Sequence, residues 1–598
     1  MPKNQKKIMP INYTSREYSS IRRDLLQIAE RLYPDSFQDF SEASFGSLMI
    51  DAVSYVGDQL SFYLDYNVNE SFLDTAYQFN NVLRHGRALG YKYTGRPSTY
   101  GTVAIYIIVP ASQTSLGPDG KYLPILKRGA SFSSEAGLNF VLTENIDFAD
   151  PKYPVVVART DSNTGSPTYY AIKAYGPVVS GIFKTEQLKV GAYERFKKVK
   201  LNTANVSEII SVYDSEGNEY FEVDYLAQDM VFKEFRNDNH RNDYVPSILK
   251  PFLVSRKFTV ERDTLSTFLQ FGSGKSGESN VVSDPQNVSM DIFGKTYVTD
   301  TTFDPTKLSK NESFGIVPQD TTLTINLRTS NPRNSNAASG QITTVNSVEL
   351  EFEERSRLSE EIIDTITSTV EVYNETPIVG DVTNPNSEEI KQRIFDTFPT
   401  QNRAVTQADY ENLAYRMPAK FGSIKRVSVQ KDADSQKRNL NMYVVSEDSF
   451  GNLTKTNSTI KKNLKVWLNQ YRMLNDTIDI IDPFIVNLGI QFMIKALPGS
   501  DKYTTLDKCV ESLREHFDTK LFIGEPLYIS DIYSILKEVD GVLDVIKAKF
   551  VSKTGTNYSS ATIDINKNLS PEGDYLIIPQ NAIAEIKFPE TDIKGTVR

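Results

Sequence analysis

Cysteine is almost missing from this chain: Cys509 stands alone among 598 residues. One thiol cannot close an intramolecular disulfide, so no covalent framework and no oxidising compartment are implied. It sits in DKCVESL at helical spacing, where a small buried side chain is expected. Histidine is nearly as scarce. His85, His240 and His516 lie far apart and none has a partner at metal-ligand spacing, so neither a metal nor a cofactor is expected. His85 falls at the basic end of a helix, where packing or a dipole role is the default, and His240 falls in the polar stretch RNDNHRND, read as a loop. The single tryptophan, Trp467, lies at core spacing in a helix. No run of 18 apolar residues is free of charge. Residues 45–64 come nearest, and Asp51 and Asp58 interrupt them, so no transmembrane helix is expected. The opening MPKNQKKIMPINYT has early lysines but no apolar signal-peptide core, which points to synthesis in a reducing cytoplasm. Positive charge is also in deficit, with a net charge of −10. Phosphate backbones want a basic face, so nucleic acid is not an expected partner, and neither is a membrane.

Charged residues make up 24% and apolar residues 39%, enough for a packed interior, and the length implies about three to five domains. The pattern is multidomain α+β. Residues 1–97 read as N-terminal helices. The first opens at YTSREYSS, with Thr14 and Glu17 as a capping box and Tyr18, Ile21, Leu25, Ile28 and Leu32 as its apolar stripe. The second covers 45–67, and the third covers 72–89 with Gly90 as its C-cap. From 98 to 375 the period changes to two, and turn signals recur at GPDG, DSNTGSP, DSEGN and GSGKSG, giving a β-rich middle. Within it SNPRNSNAASG (330–340) reads as an exposed, mobile loop. Residues 376–552 alternate helix and strand as α/β units, with Asn386 and Thr406 as N-caps. Helix, tight turn and strand recur at 406–430 and 530–551, a weak internal similarity. Residues 553–598 read as an extended tail.

No catalytic constellation emerges, and no enzyme is expected. FGSGKSG (271–277) imitates the end of a phosphate-binding loop, but the required first glycine is Leu269 and no helix pattern follows. Its glycines suit a hairpin needing positive φ. The nucleophile elbow G-x-S-x-G is absent, and carboxylates are too numerous to select a pair. The aromatics, 32 Phe and 32 Tyr, read as core and interface anchors.

What stands out is the second helix. Cut into sevens, residues 47–67 read SLMIDAV SYVGDQL SFYLDYN, with Ser and Asp each recurring at one position and nearly everything between apolar. Met49, Val53, Val56, Leu60 and Tyr63 form a seam with steps of 4, 3, 4, 3. Leu48, Tyr55 and Phe62 lie one residue before it, and Ile50, Gly57 and Leu64 one residue after. Three apolar rows imply contacts on more than one side. Asp51, Asp58 and Asp65 complete the polar stripe and are candidates to fix register in a helical bundle. Residues 34–83 hold eight acidic residues and no Lys or Arg, whereas 1–33 hold seven basic and three acidic ones, so basic neighbours can steer this helix. Periodicity leaves two arrangements open. Either the flanking helices of the same chain cover the apolar rows, or another chain does.

The run from DFSEASFGSLMIDAV to GYKYTGRPSTYGTVAIYI resembles the N-terminal signature of the baseplate J-like family of contractile-tailed phages, and most resembles the wedge proteins of T-even-type myoviruses. VSEIISVYDSEGNEYFEVDYLAQDMVF, AVTQADYENLAYRMPAKFGSIKRVSV and IIPQNAIAEIKFPETDIKGTV are similar to further stretches of that family. The resemblance implies a structural role in the virion tail baseplate, after assembly in the host cytoplasm. It implies that two copies join a larger wedge protein in a helical core bundle, with the sheath initiator nearby. It further implies that residues 400–598 contact neighbouring wedges and close an inner ring that gates sheath contraction. A subunit of a related contractile injection system is the main alternative; a tail adhesin and an envelope-glycan hydrolase are the others.

Overall fold

The structure, a computed structural model, describes residues 17–32, 44–112, 116–237, 247–263, 266–275, 314–331, 334–383, 385–432, 439–518 and 521–598. The chain is multidomain α+β and divides into two compact units. One holds residues up to 92 together with 385–401; the other holds 93–384 and 402–598. Thr14 and His240 lie outside the described residues, as do the side chains of Ile28 and Leu32.

The first unit is helical. It contains α1 (Tyr18–Leu32), α2 (Phe45–Glu70), α3 (Phe79–Ala88) and a later helix, Ser387–Thr400. Ser44 caps α2 by accepting from Ser47 N at 3.1 Å. α3 is shorter than its pattern suggests, because residues 71–78 turn rather than coil and the helix begins only at Phe79. It ends as expected. Gly90 (φ +88°) takes the left-handed conformation, and Tyr91 N bonds back to Gly86 O at 2.8 Å. Asn386 caps the later helix by accepting from Glu389 N at 2.8 Å, again as its sequence foretells. That helix buries Ile390 and Ile394, and a Cβ placed on Gly86 would stand only 2.8 Å from Ile394 Cδ1. Gly86 is therefore glycine so that α3 can lie close against the helix.

The second unit opens with two seven-stranded sheets. The first is organised on the long antiparallel pair Tyr100–Pro110 and Pro167–Ser180, in unbroken register from Tyr100↔Val179 to Pro110↔Tyr169. Alternate residues Val103, Ile105, Ile107 and Val109 are fully buried with Phe132, Phe140 and Ile366, as half-buried strands require. In the second sheet Thr321–Thr329 lies between Ile182–Val190 and Val206–Tyr213 and buries Leu323, Ile325 and Leu327. Arg328 joins the two sheets. It is fully buried, donates to Ser180 O at 2.6 Å and to Ser98 Oγ at 3.1 Å, and pairs with Glu208 at 3.2 Å.

Two expectations are corrected here. Residues 330–340 were expected to be exposed; among those described, Asn331, Ser335, Asn336 and Ala337 are buried. Asn336 Nδ2 donates to the carbonyls of Asp381, Glu447 and Asp448, and its Oδ1 accepts from Asp381 N. Polar side chains here satisfy backbone groups that burial would otherwise strand. Within 271–275, the described part of the FGSGKSG stretch, the glycines do not serve a positive-φ hairpin either. Gly272 and Gly274 have ordinary φ, and a Cβ on Gly272 would meet Phe314 O at 2.2 Å. Close backbone approach, rather than turn conformation, is the reason for glycine at 272.

The remainder forms two smaller α/β modules. In one, Arg426–Lys431, Asn439–Glu447 and Leu453–Lys455 run antiparallel, and Thr477–Ile481 joins parallel. The helices Gln407–Tyr415 and Ser458–Asn469 cover them, the first with a Thr406/Asp409 capping box, and Trp467 Nε1 donates to Leu413 O at 2.8 Å. In the other, Phe484–Ala496 has Val542–Ser552 antiparallel on one side. Its other side takes Ala582–Glu585 and Ile593–Val597, both parallel. Residues 553–598 thus contribute two strands to this sheet. Cys509 is buried in its core, where burial pushes the thiol up to about 11.

Candidate interaction surface on the N-terminal helices

The polar stripe of α2 faces its own chain. Ser47 and Ser54 are the buried residues of this helix besides Glu70, and Ser54 Oγ donates to Ile50 O at 2.7 Å. Gly57 completes a face of small side chains, since a Cβ there would stand 3.2 Å from Ile21 Cδ1 of α1. Small residues let α1 lie close. Arg22 of α1 then reaches across, donating to Asp51 at 2.5 Å and to Ser47 Oγ at 3.3 Å. The hydrogen bond from Arg22 holds the Asp51 carboxyl below its ordinary range. Asp58 and Asp65 sit half-buried on the same flank.

The apolar rows face away. Met49, Val53, Val56, Leu60 and Tyr63 are 49%, 53%, 54%, 59% and 57% exposed. Leu48, Tyr55 and Phe62 from the preceding row are exposed too, and so are Leu64 and Val68; Ile50 and Gly57 are turned partly inward. The ring of Phe62 stacks on Tyr66 at 6.2 Å and meets Tyr63 edge-on at 5.8 Å. Ten large apolar side chains between Leu48 and Val68 thus line a helix about 39 Å long. At roughly half exposure they present on the order of 1,000 Å², beyond the few hundred Å² that a monomer ordinarily leaves in one patch. Among the described residues, no helix of this chain covers these rows.

Glu70 ends α2 and starts α3, a role without a local sequence signal because its partners lie seven to eleven residues on. Its carboxylate accepts from Tyr77 N at 2.8 Å, Gln78 N at 3.1 Å and Asn81 Nδ2 at 2.8 Å. Burial alone would raise its pKa; the three donors, together with the charge of Lys391, outweigh burial and hold it low. His85 Nε2 of α3 donates to Glu70 O at 2.8 Å, a specific hydrogen bond to the end of α2 where only a packing or dipole role was expected. Among the described residues no group of three or more His, Cys, Asp or Glu could hold a metal ion. No described helix is long and apolar enough to cross a membrane.

Residues 17–88, which are α1, α2 and α3 with their connections, match the family described as bacteriophage baseplate protein, N-terminal domain. The helical stretch is similar to a phage baseplate domain. Comparison with curated proteins finds no match. Among solved structures, a chain of the anti-feeding prophage (AFP) baseplate, determined by cryo-electron microscopy, aligns over 96% of this chain and 98% of its own at 10% identity and a TM-score of 0.25. A chain of the type VI secretion system TssK-TssF-TssG baseplate subcomplex aligns over 73% of this chain and 96% of its own at 9% identity and a TM-score of 0.24.

Proposed function

We propose that this protein is a structural subunit of a contractile-tail baseplate, held in place by an intermolecular helical bundle built on α2. The observation that carries the reading is the exposed outer face of α2, within the stretch similar to a phage baseplate N-terminal domain. A stable interface takes about 800 Å² from each partner, and this face offers more. In the finer form of the proposal the chain is a J-like wedge protein of the T-even type in the virion tail. Two copies and a larger wedge protein share the bundle, with the sheath initiator beside it. Contacts among neighbouring wedges through 400–598 close a ring that widens to release sheath contraction. Closure of a ring needs two interacting surfaces on each subunit.

The test is Val56→Asp in the full chain. The side chain is exposed here, so the folded monomer tolerates a carboxylate, whereas a dry seam would not; burying it unpaired costs several kcal/mol. Sedimentation velocity should show concentration-dependent association of the wild-type chain and a shift to monomer in the variant, with an unchanged melting temperature. A variant that associates and assembles into tails like wild type contradicts the proposal.

A further inference from the structure

Phe450 is 86% exposed at the tip of the turn Asp448-Ser-Phe-Gly-Asn452. The turn is rigid. Asp448 Oδ1 accepts from Phe450 N at 2.8 Å and Asn452 N at 2.9 Å, Asp448 N donates to Asn452 O at 2.8 Å, and Gly451 has φ +83°. The same chain supplies a control. Asp214-Ser-Glu-Gly-Asn218 forms the same turn, with Asp214 Oδ1 accepting from Glu216 N at 3.0 Å and Asn218 N at 2.8 Å, and with Gly217 at φ +85°. There the tip residue is Glu216, also exposed. The turn therefore needs no aromatic, and folding does not explain Phe450.

Phe450 lines a groove of about 540 Å³ together with Phe517 and Phe588. The charges around it are unbalanced. Glu447 is paired with Lys425 at 3.0 Å, and Glu590 lies 3.9 Å from Arg514. Lys587, also on the rim, donates instead to a backbone carbonyl, Asn557 O, at 2.6 Å. Among the side chains that line the groove, three cations thus stand against two carboxylates; Asp448 and Asp592, which do not line it, are engaged by Phe450 N and Asn452 N and by Phe588 N and Lys553. A preorganised aromatic beside a cleft of mixed polar and apolar lining suits a binding anchor, because little ordering entropy remains to be lost.

We propose that this groove docks an extended segment of a partner protein that carries an acidic residue beside a large apolar side chain. The apolar side chain packs between Phe450 and Phe588, and the carboxylate meets Lys587. The inference stands apart from the helical bundle, so either can fail without the other.

The experiment is selection of a random displayed-peptide library on the full chain. Enriched peptides should place Asp or Glu next to Leu, Ile, Met or an aromatic. Phe450→Glu should weaken them by about thirtyfold, the loss typical of an anchor side chain. It should leave the melting temperature unchanged, since the Glu216 turn shows that glutamate fits. Lys587→Glu should also weaken them, and it carries the test if Phe450→Glu disturbs folding. Peptides that bind both variants undiminished, enriched peptides without an acidic residue, or no enrichment at all would each overturn the proposal.

Discussion

Gly272 and Lys275 lie three residues apart and separate a packing constraint from an apparent motif. A methyl group on Gly272 would press on the Phe314 carbonyl, which is backbone and cannot swing aside. Gly272→Ala should cost roughly 1–3 kcal/mol, read as a lower denaturant midpoint. Lys275→Ala should leave stability and assembly untouched; any assembly defect tied to nucleotide binding would reopen the phosphate-loop reading. Here the sequence misled because glycine has two uses, positive φ and close approach, and one residue letter serves both. The polar loop misled for a related reason. Asn336 is written with the same letter as a solvated asparagine, and only the surrounding carbonyls of Asp381, Glu447 and Asp448 reveal its task. Caps were legible, since Asn386 and Thr406 act on amides only three residues away.

At the scale of the element, α2 was legible in its rows but not in its orientation. Ser and Asp recurring every seven residues showed that one stripe differed from the rest. Nothing in that period says whether the stripe faces solvent or a neighbour. The answer comes from Ile21 and Arg22 of α1, which meet Gly57 and Asp51. The junction between α2 and α3 makes its own prediction through Glu70. Its folded pKa lies below the ordinary value, so its stabilisation is complete above that value and is lost as pH falls through the folded one. Glu70→Gln should weaken α3 by about 1 kcal/mol at neutral pH, the usual worth of a charged cap. Amide exchange in α3 should show protection in the wild type that decays in acid, over an interval where the glutamine variant stays flat. Equal protection in both at neutral pH would remove the capping role.

For the whole molecule, the two seven-stranded sheets of the larger unit meet at Arg328. Its guanidinium serves a carbonyl from one sheet and a carboxylate from the other, and it is shut off from water. Arg328→Ala should lower the stability of that unit by roughly 3 kcal/mol, measured as a shift in its urea midpoint. A shift no larger than that of a surface arginine would show that the sheets hold together without it. No spacing announced this residue, because its partners come from 120 to 230 positions away.

The later helix of the first unit has a consequence in time. Val82 and Leu83 are made early, while Ile390 and Ile394 leave the ribosome roughly 300 residues later, on the order of 15–60 seconds at ordinary synthesis rates. Through that interval α3 has no Ile394 for Gly86 to receive. A segment translated early is therefore among the last to be finished, and α3 waits for roughly 300 further residues before its own core closes.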